Sequence, residues 1–150
     1  MQNGIMNERA RRLWSQTRVH VWPEVSWLVS LPPDAVREAA ALVTESAGNF
    51  AALVLERDEV SLTVPDAVWA ASPLRALARA VAGPYRALTF DLDLELDVVG
   101  YLAPAAERLA AAGVSIVPQC GFLKDHLLVR EEDLERARDT LERWIAECGG

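Results

Sequence analysis

Residues 114–137 read VSIVPQCGFLKDHLLVREEDLERA: a strand, a tight reversal, a second strand and the start of a charged helix. Val114 and Ile116 alternate with Ser115, as one face of a strand requires, and Leu127 to Val129 form a short apolar run of β type. Gly121 supplies the loop residue between them. If the reversal spans Gly121 to Lys124, Cys120 stands opposite Asp125, with His126 one position further on. Arg130, Glu131, Glu132 and Asp133 then open a helix, its carboxylates in the first turn where the helix dipole favours them. Leu134, Ala137, Leu141 and Ile145 continue it at helical spacing.

Working outward, the residues before this run repeat the same grammar. Leu88, Phe90, Leu92, Leu94 and Leu96 alternate with Thr89, Asp91, Asp93 and Glu95, which predicts a strand with one buried and one wet face. Gly100 lies in the loop that follows, and Leu102, Ala105, Ala106 and Leu109 predict a helix ended by Gly113. In the first half, Val25 to Leu31 reads as a strand stopped by Pro32-Pro33, and Asp34 as the cap of a helix to about Ser46. Phe50 to Leu55 and Val60 to Val64 flank Arg57-Asp58 as a hairpin. Ser72-Pro73 predicts a helix carrying Leu74, Leu77, Ala78 and Val81 as far as Gly83-Pro84. Both halves thus read strand–helix–strand–strand–helix, a weak internal duplication. The fold class expected is α+β, as two packed ferredoxin-like lobes with antiparallel sheets. Neither half shows an obvious final strand, so one shared between lobes or swapped between chains would complete them. The boundaries expected are an N-terminal arm over 1–18, a first lobe over 19–83 and a second over 84–147.

Composition narrows the function classes. The chain has 150 residues, 51% hydrophobic and 25% charged, enough for a sizeable core. A net charge of −7 argues against nucleic acid, since binding a polyanion needs a basic face to release counterions. The basic cluster Arg9, Arg11, Arg12 and Arg18 falls in the arm. No apolar run approaches the roughly 20 residues of a membrane helix, and no apolar segment follows the N-terminal arginines as a secretory signal would require. Cys120 and Cys148 make no disulfide framework, so a reducing cytoplasm is the expected location.

Chemistry is sparse. There is no Gly-rich phosphate loop, no Cys-x-x-Cys and no histidine pair at metal spacing, so neither cofactor nor metal is expected. Asp91, Asp93 and Glu95 share one strand face, where they either gather a cation or pair with basic residues on a neighbour. Cys120, Asp125 and His126 hold the vocabulary of nucleophilic catalysis, although adjacent strand residues face opposite sides. The segment Asp97-Val98-Val99-Gly100-Tyr101 joins a strand end to a helix start, where free backbone N–H groups suit a carboxylate and Gly100 admits close approach. The terminal Cys148-Gly149-Gly150 reads as a frayed end.

The run Gly83 to Ala137 resembles the second lobe of a small bacterial ACT-domain family related to arginine sensors of the CASTOR type. The likeness rests on Gly83-Pro84-Tyr85-Arg86-Ala87-Leu88, on Leu96 to Leu102, on Leu109 to Val117 and on Val129 to Ala137. Leu31-Pro32-Pro33-Asp34-Ala35 and Asp58 to Leu62 look like the first lobe. What it implies is a pair of ACT folds binding an amino acid or related small carboxylate, with regulation through self-association as a homodimer or through a partner. The ligand would lie between 97–101 and the strands near 114–125. Asp97, Val98, Val99, Gly100, Tyr101, Ser115, Ile116, Cys120, Phe122 and Asp125 are the ligand-binding residues this implies. The chain departs from the pattern where relatives carry Ser-Thr-Phe-Asp-Thr-Asp and it has Cys120-Gly121-Phe122-Leu123-Lys124-Asp125. The alternative reading is a cofactorless enzyme, an isomerase or cyclase, using the same pocket with Phe122 and Leu123 and with Asp125, His126, Tyr101 or Cys120 as acid or base.

Overall fold

The structure, a computed structural model, describes residues 7–150. Its strands are β1 (Val19–Leu31), β2 (Ala52–Leu55), β3 (Val60–Pro65), β4 (Ala80–Phe90), β5 (Ile116–Pro118) and β6 (His126–Arg130). Its helices are α1 (Glu8–Gln16), α2 (Val36–Glu45), α3 (Asp66–Ala70), α4 (Leu102–Ala111) and α5 (Leu134–Gly149). This is an α+β chain with antiparallel strands, of the ferredoxin-like kind. It divides into two compact units, one formed by 22–87 and the other by the N-terminal residues to Val21 together with 88–150.

In the 22–87 unit β3 lies between β2 and β1, antiparallel to both, with Leu62 opposite Leu53 and Val29. That register puts Val29, Leu31, Val60, Leu62 and Val64 on one face, where Ala39 and Leu42 of α2 and Trp69 of α3 cover them. The helix expected from Ser72 stops early. Ser72 does cap it, its hydroxyl accepting from the Leu74 amide at 3.1 Å, but only a short 3-10 turn, Pro73–Leu77, follows. The Arg79 amide then donates to the Ser30 carbonyl at 2.8 Å, and Ala80 opens β4. The helical spacing of Leu74, Leu77 and Val81 was outweighed by the β-formers beyond them and by Gly83-Pro84, which a helix interior does not tolerate.

In the other unit β6 lies between β4 and β5, leaving β5 at the edge. Pro118 ends β5, a position where its missing N–H costs no ladder bond. The hairpin keeps the expected register: Ile116 faces Val129, and past the strands Gln119 N–H donates to the His126 carbonyl at 2.8 Å and Gly121 N–H to the Lys124 carbonyl at 2.9 Å. The strand expected over 88–96 ends at Phe90, and 91–101 runs on without regular structure. It is held instead at single points, among them the Leu94 amide on the Leu123 carbonyl at 2.7 Å.

Residues 1–6 of the expected arm lie outside the described residues. Residues 8–16 form α1, whose first turn is capped by the Asn7 side chain accepting from the Arg9 amide at 2.9 Å. Ala10 and Trp14 of α1 are fully buried, Trp14 in a core with Phe90, Tyr101, Leu109, Leu141 and Trp144. The Trp14 indole stacks on the Tyr101 ring at 4.4 Å and meets Phe90 edge-on at 4.9 Å. Buried aromatic area of this size is the largest single apolar contribution an α1 of nine residues can make.

Candidate functional site

The irregular segment after β4 and the turn between β5 and β6 face one another across a cavity of about 370 Å³. One wall comes from Leu94, Glu95, Leu96 and Val98 and from the start of α4, Gly100 to Ala103. The other comes from Cys120 to Leu123 and Asp125. The size lies within the range of about 300–1,000 Å³ usual for small-molecule sites.

Local chemistry explains why the chain opens here. Gly100 adopts a φ of +76°, a turn that glycine takes without the steric cost of a Cβ. The first backbone N–H groups of any α-helix have no intrahelical acceptor; at α4 no side chain caps them, and Leu102 and Ala103 of that turn line the cavity. Pro104, within the first turn, has no N–H to offer. Tyr101, just before that turn, is wholly committed: its ring lies on Trp14, its carbonyl accepts the Trp14 indole N–H at 2.6 Å, and its hydroxyl pairs with the Thr17 hydroxyl at 2.7 Å.

The acidic alternation of 91–97 is resolved as ion pairs. Lys124 reaches Asp91 at 3.3 Å and Asp93 at 3.2 Å, while Arg9 reaches Glu95 at 2.6 Å and Asp97 at 3.5 Å. Two cations thus pin four carboxylates, and the segment is fastened to the hairpin at one end and to α1 at the other. Asn7 adds a bond from its side-chain amide to the Val99 carbonyl at 3.4 Å. The four carboxylates and Arg9 are exposed and Lys124 is half-exposed, so water screens these pairs and each is weak.

Of the residues singled out in the sequence, Val98, Gly100, Tyr101, Cys120, Phe122 and Asp125 line the cavity together. Asp97 and Val99 are in the same segment but not in the lining; one is tied to Arg9 and the other has an exposed side chain. Ser115 is exposed before β5, and Ile116 packs against the core, so neither reaches the cavity. Leu123, which the enzyme alternative places in the same pocket with Phe122, lines it too. Leu94, Glu95, Leu96, Leu102, Ala103 and Gly121 were missed, the first three because 88–96 reads as a regular strand.

Proton chemistry at the site is quiet. Cys120 and Asp125 are neighbours across the hairpin, as the register predicts, and their side chains hydrogen-bond. Burial, then that bond, pushes the thiol from 9.0 up to about 11, so at neutral pH it is a donor to Asp125 and not a thiolate. Burial likewise holds the Tyr101 phenol protonated well above its ordinary range. His126 has Nδ1 2.7 Å from the Thr89 hydroxyl, and burial lowers its pKa, so it is neutral at pH 7. A testable consequence concerns Cys120, whose alkylation by iodoacetamide should stay slow at pH 8 and rise towards pH 11. Peptide mapping by mass spectrometry separates it from the buried Cys148. Fast labelling at pH 7 would show an activated thiol and restore the nucleophile reading.

Residues 81–143 match the family model of the ACT domain. No curated protein matches the chain. Among solved structures, the chain is similar to a Vibrio cholerae protein of unknown function described as a possible transport protein, with 17% identity and a TM-score of 0.72, covering 92% of this chain and 97% of that one. It is also similar to a protein from Agrobacterium tumefaciens, with 24% identity and a TM-score of 0.67 over 89% of each chain. The regulatory subunit of aspartate kinase from Thermus thermophilus, in a ligand-free form, aligns at 12% identity and a TM-score of 0.59, covering 85% of this chain and 97% of that one. At these identities the likenesses speak to the fold. The family match therefore assigns an ACT domain to residues 81–143, and the solved structures support the same kind of fold for the chain.

Proposed function

We propose that this chain is a regulatory, ligand-binding ACT-type protein that takes an amino acid or related small carboxylate between the 94–103 segment and the 120–125 turn. The observation that carries the reading is the cavity itself, into which the uncapped start of α4 brings backbone donors. We read the chain as two ACT-like lobes, 19–83 and 84–147, related to the CASTOR type and acting in the cytoplasm. Binding is transmitted through homodimerisation or through a partner. The regulatory subunit of aspartate kinase supports a regulatory role by fold analogy. No helix among the described residues is long and apolar enough to cross a membrane.

The test is a thermal-shift screen of the protein against the twenty amino acids and a panel of small carboxylic acids. A ligand confined to the folded state at a hundredfold excess over its Kd adds about 2.7 kcal/mol of stability, a readily visible shift. Gly100→Trp should remove the shift by filling the cavity mouth. A Cβ at Gly100 meets no atom within 4 Å, so the cost to the unliganded fold is the strain of its positive φ, about 1–2 kcal/mol. Absence of any shift across the panel would sink the reading.

A further inference from the structure

Resting on that ligand-binding reading, we infer that the ligand is an α-amino acid with an uncharged, apolar side chain. The argument comes from the charges and the walls of the cavity. Two carboxylates line it, Glu95 and Asp125, and no lysine, arginine or histidine does. Glu95 is already neutralised by Arg9 at 2.6 Å. Asp125 is different: its side chain accepts the Cys120 thiol, and among the described residues no arginine or lysine forms an ion pair with it. The site therefore holds one carboxylate whose charge lacks a protein cation, and a ligand ammonium supplies it. The same carboxylate acts on Tyr101, raising its pKa, which places its field at the start of α4. An ammonium at Asp125 and a carboxylate at the α4 amides are the two ends of one zwitterion.

The rest of the wall is hydrocarbon. Leu94, Leu96, Val98, Leu102, Phe122 and Leu123 contribute it, and Phe122 and Leu96 stand 75% and 72% exposed at the mouth. Large apolar side chains left this open gain by covering, at about 25 cal/mol per Å² removed from water. An apolar ligand side chain covers them. A second carboxylate, as in aspartate or glutamate, would sit near Asp125 and Glu95 with no cation to answer it. A basic side chain would bring a second ammonium where the one remaining carboxylate is held by Arg9.

Calorimetric titration of the whole protein with leucine, phenylalanine, glutamate and lysine tests this. Leucine or phenylalanine should bind at least about tenfold more tightly than glutamate or lysine, and Asp125→Asn should weaken leucine by about tenfold or more, the worth of a charge-assisted hydrogen bond. With the unaltered protein, leucine amide should keep measurable binding while N-acetyl-leucine, which has no ammonium, should lose it. This arm stands even if Asp125→Asn does not fold. Glutamate or lysine binding as tightly as leucine, in a manner lost in Gly100→Trp, would overturn the ligand class while leaving the ligand-binding reading intact. Failure of every amino acid and carboxylate to bind would remove both.

Discussion

Replacing Trp14 with alanine should destabilise the protein by about 3–5 kcal/mol, the range for removing a large buried aromatic, as measured by urea unfolding. The side chain is fully buried and touches three other rings, including Trp144 edge-on at 6.4 Å. Its loss also removes the indole N–H that donates to the Tyr101 carbonyl at 2.6 Å. Total stabilities of single domains run to only about 5–15 kcal/mol, so the variant should sit near the edge of folding. Trp14→Phe separates the two contributions. It keeps most of the ring volume but removes the donor, and should cost about 1–2 kcal/mol. An alanine variant as stable as the parent would mean that α1 is not docked on the core in solution.

Gly83→Ala should be nearly as damaging, at about 2–4 kcal/mol, because two penalties fall on one methyl group. The φ of Gly83 is +139°, where residues with a side chain are strained. A Cβ there would also lie 2.8 Å from the Trp27 ring, closer than such atoms come in folded proteins, and 3.2 Å from the Ser26 carbonyl oxygen, a tight contact. The Trp27 ring cannot easily give way, since its indole N–H is bonded to Asp66 at 2.7 Å. Gly48→Ala makes the control: it too has positive φ, at +88°, but a Cβ there meets nothing within 4 Å. The difference between the two variants in thermal denaturation measures what the Trp27 and Ser26 contacts add, together with the greater backbone strain at +139°. Equal losses would show that the Trp27 contact yields at no cost.

How far the sequence could be read depends on which residues decide each element. The hairpin was legible because β-type runs flank a short reversal containing glycine, and its register followed from the turn length, down to Cys120 opposite Asp125. α4 and α5 were legible from their apolar spacing and from Gly113, whose φ of +75° ends the first of them. The stretch 73–87 was not. Its helical spacing competes with its β-forming residues and with Gly83-Pro84, and the strand that results follows a hydrogen bond from Arg79 to Ser30, far away in sequence. The alternation of 88–96 was real as a pattern of wet and dry residues, but after Phe90 the carboxylates are held by Lys124 and Arg9 instead of by a ladder. Period two reports which side of the chain is wet, not whether a neighbouring strand is present. At the site, local signals found the loop and the turn separately. That Ser115 and Ile116 stand aside, while Leu94 faces in, depends on how the two segments meet, which spacing along the chain does not encode.

The placement of α1 has a consequence for how the molecule is made. Trp14 bonds to a carbonyl 87 positions further along the chain, and Arg11 to the Glu147 carbonyl, 136 positions away. A chain leaving the ribosome therefore exposes the apolar face of α1 long before these partners exist. The 22–87 unit is continuous in sequence and has its whole core in hand much sooner. Folding of the other unit waits for a loop of this length to close, the slow step in chains dominated by distant contacts. α1 is synthesised before its partners and docks only after them, and until α5 is complete its tryptophan is a surface on which a nascent chain would stick to its neighbours.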